Sequence, residues 1–117
     1  MQKFVSVTNP KVIENLKLQI SNSRIIDWAT DFNKDAGISY NRLSYILDYW
    51  KNKFSWEKSE RELNSFNQFY FIDKGLKTHF LHLKSPEDNA LPLLLIHGWP
   101  GSIFEFFDLI PLLTNPN

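Results

Sequence analysis

The feature that most constrains the fold is a nearly continuous apolar run, residues 91–96, which leads into a turn rich in glycine and proline, residues 97–102. Such a run is typical of a strand covered on both faces in a largely parallel sheet, because both rows of its side chains are then buried. Pro92 fits only because it lies near the beginning of the run. The pattern Ser102-Ile103-Phe104-Glu105 is a capping box and predicts a helix from about Ile103. A strand, turn and helix in this order indicate an α/β fold.

The N-terminal half predicts three helices. Asn9 can cap the first, with Pro10 at its first position, and a potential Ser39 cap precedes the second. Apolar side chains recur at helical spacing in both, at Ile13, Leu16 and Ile20 and then at Leu43, Ile46, Leu47 and Trp50. A looser stretch with Asp31, Asn33, Asp35 and Gly37 separates them, and Ser55 precedes a short third helix over residues 56–63.

Two aromatic, partly alternating runs, residues 68–73 and 76–83, flank Lys74-Gly75 and predict a β-hairpin in which Gly75 supplies a positive φ. After the turn at 97–102, Phe106, Ile110 and Leu113 form an apolar stripe. Pro111 is expected to end or kink this helix near its last turn.

Size and composition narrow the classes of function. The chain has 117 residues, enough for one modest domain, and 43% of them are hydrophobic, which favours a folded core. Its 13 basic and 13 acidic side chains balance, so a nucleic-acid partner is not expected. The absence of cysteine removes disulfides and thiolate sites and is compatible with a reducing cytoplasm. No signal peptide or membrane segment is predicted, so we expect a soluble cytoplasmic protein.

The turn at residues 97–102 admits two interpretations from its residues alone. In one, a backbone N–H points at an oxygen that gains negative charge during a reaction, while a second donor follows a nucleophile elsewhere. In the other, the turn is a tight connection between a strand and a helix. Physical reasoning leaves both open.

A wider pattern resembles the epoxide hydrolase family, in the branch of the microsomal and juvenile-hormone enzymes. The resemblance is carried by His97-Gly98-Trp99-Pro100-Gly101-Ser102, with Leu91-Pro92-Leu93-Leu94-Leu95 before it and Glu105-Phe106 and Ile110-Pro111-Leu112-Leu113-Thr114 after it. It extends upstream to Tyr49-Trp50, Trp56, Arg61, Leu63-Asn64, Phe66, Gln68-Phe69, Gly75-Leu76 and His79-Phe80, and more weakly to Phe4, Leu16 and Arg24. Asn67 departs from the proline that the family often has between the two phenylalanines.

The resemblance implies an α/β fold in which an N-terminal helical segment precedes the first strands and first helix of an α/β-hydrolase sheet, an incomplete fold. It also implies that residues 1–66 form a helical region that wraps around the hydrolase and that residues 67–117 form the start of the hydrolase domain. The family converts epoxides to diols through an aspartyl ester, without a cofactor. Trp99 would then supply one oxyanion-hole N–H, with Gly98 and Pro100 shaping the turn and a cis bond between Trp99 and Pro100. The nucleophile, base and acid are expected outside this chain, which alone should be inactive.

Several residues invite other interpretations. Ser102 is a helix cap rather than a nucleophile, since its surroundings are not G-x-S-x-G. His79 and His82 are expected on opposite faces of a strand and so not to share a metal, and no metal site is predicted. His97 is expected to hydrogen-bond the turn. The aromatic residues Trp50, Trp56, Phe104, Phe106 and Phe107 are expected in a core or against a lid.

The expected partners are a small apolar epoxide for the parent enzyme and the remainder of the hydrolase domain, with self-association as a further possibility because apolar surfaces would be left uncovered. Two alternatives stay open. The chain could be a stand-alone protein-interaction module, including half of a split hydrolase, or it could belong to an esterase or dehalogenase that shares the turn. A G-x-D-x-G or a G-x-S-x-G motif downstream would separate the hydrolase classes.

Overall fold

The computed structural model describes residues 1–26 and 37–115 of the chain. Along the sequence it contains β1 (Gln2–Phe4), α1 (Pro10–Asn22), α2 (Tyr40–Asn52), α3 (Trp56–Asn64), β2 (Gln68–Asp73), β3 (Leu76–Leu81), a 3₁₀ helix (Ile103–Phe106) and α4 (Leu109–Thr114). The described residues of Val7–Glu60 form one compact unit, and those of Met1–Ser6 and Arg61–Asn117 form the other. The predicted division into residues 1–66 and 67–117 concerns the parent protein and stays a prediction.

The helices of the Val7–Glu60 unit begin where the sequence predicts. The Asn9 side chain accepts a hydrogen bond from the Lys11 N–H at 3.0 Å, and Pro10 occupies the first helical position. Ser39 accepts from the Arg42 N–H at 3.3 Å at the start of α2. Both caps satisfy N–H groups that have no acceptor inside the helix. Of the looser stretch before α2, Asp31, Asn33 and Asp35 lie outside the described residues, and Gly37 has a φ of +81°.

The sheet of the other unit is antiparallel, in the order β1-β2-β3. The predicted hairpin is confirmed: β2 and β3 pair from Asp73 opposite Leu76 to Gln68 opposite Leu81. Lys74 and Gly75 have φ values of 47° and 83°, the positive angles of the tight turns that match strand twist. β1 pairs with β2, with Phe4 opposite Gln68. No strand was predicted at β1, because a strand of three residues is too short to show an alternation of apolar and polar side chains.

The predicted buried strand at residues 91–96 is wrong for this chain. The backbone there has no strand assignment, and Leu91 and Ile96 are 90% and 77% exposed. A strand requires a neighbour to accept and donate its backbone hydrogen bonds. Among residues 1–26 and 37–115, the paired strands are β1 to β3, which pair only with each other. The segment is apolar, as the sequence shows, but the described residues leave most of its side chains exposed.

The segment after the turn agrees with the prediction in part. The capping box is present: Ser102 N–H donates to the Glu105 carboxylate at 3.2 Å, and the Ser102 hydroxyl accepts from the Phe104 N–H at 3.4 Å. The single predicted helix is instead a 3₁₀ helix followed by α4. Pro111 lies at the third position of α4, so the prediction that it ends or kinks a helix is wrong. A first-turn residue has no intrahelical acceptor for its N–H, so proline is tolerated there.

Aromatic packing supplies the most buried apolar side chain of this unit. Phe107 is 7% exposed. Its ring centroid lies 4.4 Å from that of Phe104 and 4.7 Å from that of Phe66. This agrees with the expectation of a core role for Phe107, whereas Phe104 remains exposed on its other side. Among the described helices, none is both long and apolar enough to cross a membrane.

Candidate functional site

The turn that joins residues 91–97 to the 3₁₀ helix is closed by its own backbone. The Gly101 N–H donates to the Gly98 carbonyl at 2.7 Å, and the Trp99–Pro100 peptide bond is cis, as the family resemblance implies. A cis proline at the third position is the arrangement of a type VI β-turn. The imidazole Nδ1 of His97 lies 3.3 Å from the same Gly98 carbonyl. This contact fits the expectation that His97 hydrogen-bonds the turn, with its Nδ1–H as the donor.

Gly101 is required by the helix cap that follows it. A Cβ built at Gly101 would overlap the Glu105 carboxylate and would approach the Gly98 carbonyl oxygen to 2.9 Å. The carboxylate stands there because it accepts the Ser102 N–H. At Gly98 a Cβ would meet no atom within 4 Å among the described residues. The cap and the turn therefore constrain each other at Gly101, whereas Gly98 contributes to the turn through its carbonyl, which accepts the Gly101 N–H.

Trp99 is the exposed corner of this turn. Its side chain is 96% exposed. Within residues 1–26 and 37–115, its backbone N–H has no hydrogen-bond acceptor, while the neighbouring Gly98 carbonyl is occupied. An unpaired donor on a closed turn is available to an oxygen from outside the chain. The indole plays no part in the turn's own hydrogen bonds.

The remaining histidines lie in structural surroundings. His79 is half-buried, its Nε2 lies 3.0 Å from Gln68 Oε1, and its ring meets Phe4 edge-on. The His82 ring contacts Phe69, on the opposite face of the sheet. The two histidines are thus separated as the strand alternation predicts. In the described part of the chain, no three His, Asp or Glu side chains are grouped as metal ligands.

Sequence reasoning missed the polar centre of this unit. Gln68 is 3% exposed, and its side chain joins His79 to Asn64. A glutamine at the start of a strand carries no hydrophobic signal, and its neighbours Phe4 and Leu81 are brought beside it by the pairing of β2 with β1 and β3. The signal that could have found it is the resemblance itself, since Asn64, Gln68 and His79 all belong to the matching pattern.

The Val7–Glu60 unit contains an open cleft of about 500 Å³. Its walls are apolar side chains of α1 with Trp50, Phe54 and Trp56, and the rim carries charged residues of both signs. Thr8 bridges two rim residues, donating to Glu60 at 2.7 Å and accepting from the Trp56 indole N–H at 2.8 Å. Trp50 and Trp56 therefore line an open cleft and are partly exposed, rather than lying in a closed core.

Comparison with known proteins defines the class. Residues 1–106 match the family model described as the epoxide hydrolase N terminus. The structure resembles an Aspergillus niger epoxide hydrolase with a TM-score of 0.84 at 32% identity, over 95% of this chain and 30% of that one. It also resembles juvenile hormone epoxide hydrolase from Bombyx mori, with a TM-score of 0.82 at 27% identity, over 94% and 27% of the two chains. The predicted fold class, part of an α/β-hydrolase, is confirmed.

Similar sequences agree with the structural match. A putative epoxide hydrolase from Stigmatella aurantiaca is 39% identical over 104 residues, 89% of this chain and 24% of that protein. Epoxide hydrolase 1 of Oryctolagus cuniculus is 38% identical over 120 residues, 99% of this chain and 26% of that protein. The chain belongs to the epoxide hydrolase family and corresponds to its N-terminal region. It spans about a quarter of the length of these relatives.

Proposed function

We propose that this chain is the N-terminal part of an epoxide hydrolase and that the backbone N–H of Trp99 is one of the two donors of its oxyanion hole. The observation that carries the proposal is the Trp99 N–H, which has no acceptor among the described residues, on a turn closed by the bond from Gly101 to Gly98. A donor acts on a transition state only if it is held in place and not already used. The capping box at Ser102 and Glu105 holds the far end of the turn.

The proposed reaction has two chemical steps. An aspartate carboxylate from outside this chain attacks one epoxide carbon, the carbon–oxygen bond breaks, and an alkyl ester forms while the epoxide oxygen takes up a proton. A histidine then removes a proton from water, the water oxygen adds to the ester carbonyl, and the carbonyl oxygen becomes negatively charged. The Trp99 N–H stabilises that charge until the diol leaves and the carboxylate is restored.

The names of the relatives, which are epoxide hydrolases and include juvenile hormone epoxide hydrolases, support the proposed class of substrate. We propose a small apolar epoxide as the substrate of the parent protein. Gly98 and Pro100 would set the direction of the Trp99 N–H, and no cofactor would take part. The chain alone would bind no substrate productively, because the proposed nucleophile, base and acid lie in the other three quarters of such a hydrolase.

The hydrolase remainder, meaning the C-terminal part of a relative without the region that matches this chain, is the proposed partner. Leu91 and Ile96 lie exposed beside the turn. Strands of the remainder would pair with residues 91–96 and bury these side chains, which would bring Trp99 to the reacting ester. The exposed apolar surface also supports the alternative in which the chain is an interaction module that binds a different protein or a second copy.

The proposal is tested by combining the purified chain with the hydrolase remainder of the Stigmatella aurantiaca relative. We expect diol formation from a small aryl epoxide by the mixture and none by either part alone. A single turnover in water labelled with ¹⁸O should give unlabelled diol, because one oxygen of the diol comes from the epoxide and the other from the carboxylate, which keeps the water oxygen. Label in the diol would contradict the ester mechanism.

Size-exclusion chromatography of the two parts separates the alternative. Co-elution of the chain with the hydrolase remainder supports the assignment to a hydrolase. If the chain elutes as a stable dimer and does not co-elute with the hydrolase remainder, the result would favour the interaction module. The matched control is the remainder mixed with an intact copy of its own N-terminal region.

A further inference from the structure

The Trp99 N–H is one end of a peptide unit whose other end is the Gly98 carbonyl. The peptide bond between Gly98 and Trp99 is trans. A trans peptide is planar, and its C=O and N–H point in opposite directions within that plane. Any contact that holds the Gly98 carbonyl therefore also sets the direction of the Trp99 N–H.

Two donors meet the Gly98 carbonyl, one from each side along the chain. The Gly101 N–H donates to it at 2.7 Å across Trp99 and Pro100, and the His97 Nδ1 lies 3.3 Å from it on the N-terminal side. A backbone carbonyl has two lone pairs and can accept both hydrogen bonds. Because the oxygen can only accept, the His97 ring must carry a proton on Nδ1 to make this bond.

The bond from His97 spans the most permissive residue of the turn. Between the imidazole and the carbonyl oxygen lie both backbone dihedrals of Gly98, and glycine restricts these angles less than any other residue. A Cβ at Gly98 would meet no atom within 4 Å among the described residues, so neighbouring atoms there do not crowd the residue. On this side of the peptide unit, the hydrogen bond from His97 is thus the contact that limits its rotation.

We propose, on the basis of the proposed function, that His97 is a positioning residue for ester hydrolysis, whose Nδ1–H holds the peptide unit that carries the Trp99 N–H. The bond acts on the donor in two ways. It restricts the direction of the Trp99 N–H, and it polarises the peptide, which strengthens the N–H at the opposite end. His97 touches neither the ester nor the attacking water in this role, so it does not serve as the general base.

Two substitutions separate the hydrogen bond from the rest of the imidazole. His97→Asn keeps a donor, because the asparagine side-chain nitrogen is bonded to Cγ as Nδ1 is. His97→Leu fills a similar space without a donor. In single-turnover reactions of the chain combined with the hydrolase remainder, His97→Leu should hydrolyse the ester about 2- to 10-fold more slowly, the effect of one neutral hydrogen bond. His97→Asn should recover most of the rate.

The rate of ester formation distinguishes positioning from a general loss of structure. The carbonyl oxygen gains its negative charge only when water adds to the ester, so His97→Leu should form the ester at the unaltered rate. Equal slowing of both steps, or equal slowing of hydrolysis in His97→Leu and His97→Asn, would overturn the proposal.

Trp99→Pro in the same assay separates this proposal from the proposed function. If Trp99→Pro slows ester hydrolysis and His97→Leu does not, the positioning role is wrong and the oxyanion hole stands. If Trp99→Pro has no effect, the oxyanion hole is wrong and the role of His97 is overturned with it.

NMR of the isolated 117-residue chain tests the hydrogen bond without the remainder. At pH 8, nitrogen-detected spectra should show the neutral His97 ring with its proton on Nδ1. The Gly98 carbonyl and Trp99 amide resonances should differ between His97→Leu and His97→Asn, which both lack the ring and so share the loss of its ring current. A neutral ring protonated on Nε2, or identical resonances in the two variants, would contradict the proposal. If neither variant folds, the ring proton of the unaltered chain decides.

Discussion

Two regions of the same unit differ in how completely contacts within the chain pair their backbone and polar groups and cover their apolar side chains. In the clasped hairpin, residues 1–6 and 64–82, the strands pair with each other. One chain of hydrogen bonds there joins Ser6, Asn64, Gln68 and His79. The open segment, residues 91–100, has exposed apolar side chains, and the N–H of Trp99 has no acceptor in the part of the chain that the structure describes. The first region is organised by contacts within this chain. The second is organised only at its turn, and we infer that a partner completes the rest.

The largest effect is expected from a charge placed in the open segment. Ile96→Asp should leave the stability of the isolated chain nearly unchanged, because Ile96 is exposed there. If residues 91–96 become an interior strand with the hydrolase remainder, the new carboxylate is buried without a partner, at a cost of about 3–5 kcal/mol. Binding of the remainder, measured by titration calorimetry, should weaken by about 10² or more.

Ile72→Asp is the matched control for this experiment. Ile72 is also an exposed isoleucine, but it lies in β2, whose backbone is already paired. The comparison predicts that Ile72→Asp binds the remainder as the unaltered chain does. Equal losses in the two variants would mean that the open segment is not the docking strand.

The opposite outcome is expected from the clasped hairpin. Asn64→Ala removes the partner of both Ser6 and the buried Gln68 amide, and an unsatisfied buried group costs about 1–3 kcal/mol. Urea unfolding of the isolated chain should report this loss. The control Asn67→Ala changes an exposed asparagine three residues away and should be close to neutral. A neutral Asn64→Ala would show that the hydrogen bonds of Asn64 to Ser6 and Gln68 add nothing to the stability of the fold.

The turn at the end of the open segment can be weakened without changing Trp99. In Gly101→Ala the new methyl group overlaps the Glu105 carboxylate and must displace it from the Ser102 N–H. Losing a helix cap costs about 1 kcal/mol. We expect an effect of that size on chain stability and a reduced rate of ester hydrolysis in the assembled enzyme. Gly98→Ala, where a Cβ meets open space, is the control for stability.

The smallest effect concerns Lys77. Lys77→Met removes the ammonium from the Tyr70 ring, a contact worth about 0.5–1 kcal/mol at an exposed site. Desolvation by burial, and then the charge of Lys77, lower the pKa of His79 below its ordinary value of 6.5, and the variant removes the second of these causes. The variant should be slightly less stable at pH 8 and should lose less stability on acidification below pH 6.5. Lys84→Met, outside the sheet, is the control, and a pH dependence unchanged in Lys77→Met would show that Lys77 does not lower the pKa of His79.

Local chemistry made much of this fold predictable. The caps at Asn9 and Ser39, the Lys74-Gly75 turn and the capping box each lie within a few residues, and the structure has all of them. What failed depends on distant partners. The strand at residues 91–96 needs neighbours along its whole length, and the position of Pro111 depends on where the second helix restarts.

The candidate site divides in the same way. The shape of the turn, with its cis Trp99–Pro100 bond, followed from the family resemblance. The need for glycine at 101 could not, because it depends on where the Glu105 carboxylate folds back. Gln68 was also invisible in the sequence, since its burial depends on strand order. The role of Trp99 in catalysis stays a prediction.

That role is tested most directly by single-turnover kinetics of the assembled enzyme with Trp99→Pro, which lacks the N–H, and Trp99→Phe, which keeps it. Removing one oxyanion-hole donor typically slows such a step by about 10²–10³. We predict that in Trp99→Pro the alkyl ester forms but is hydrolysed at least about 10² more slowly, while Trp99→Phe hydrolyses it at nearly the original rate. A correctly folded Trp99→Pro enzyme that hydrolyses its ester at the unaltered rate would contradict the account.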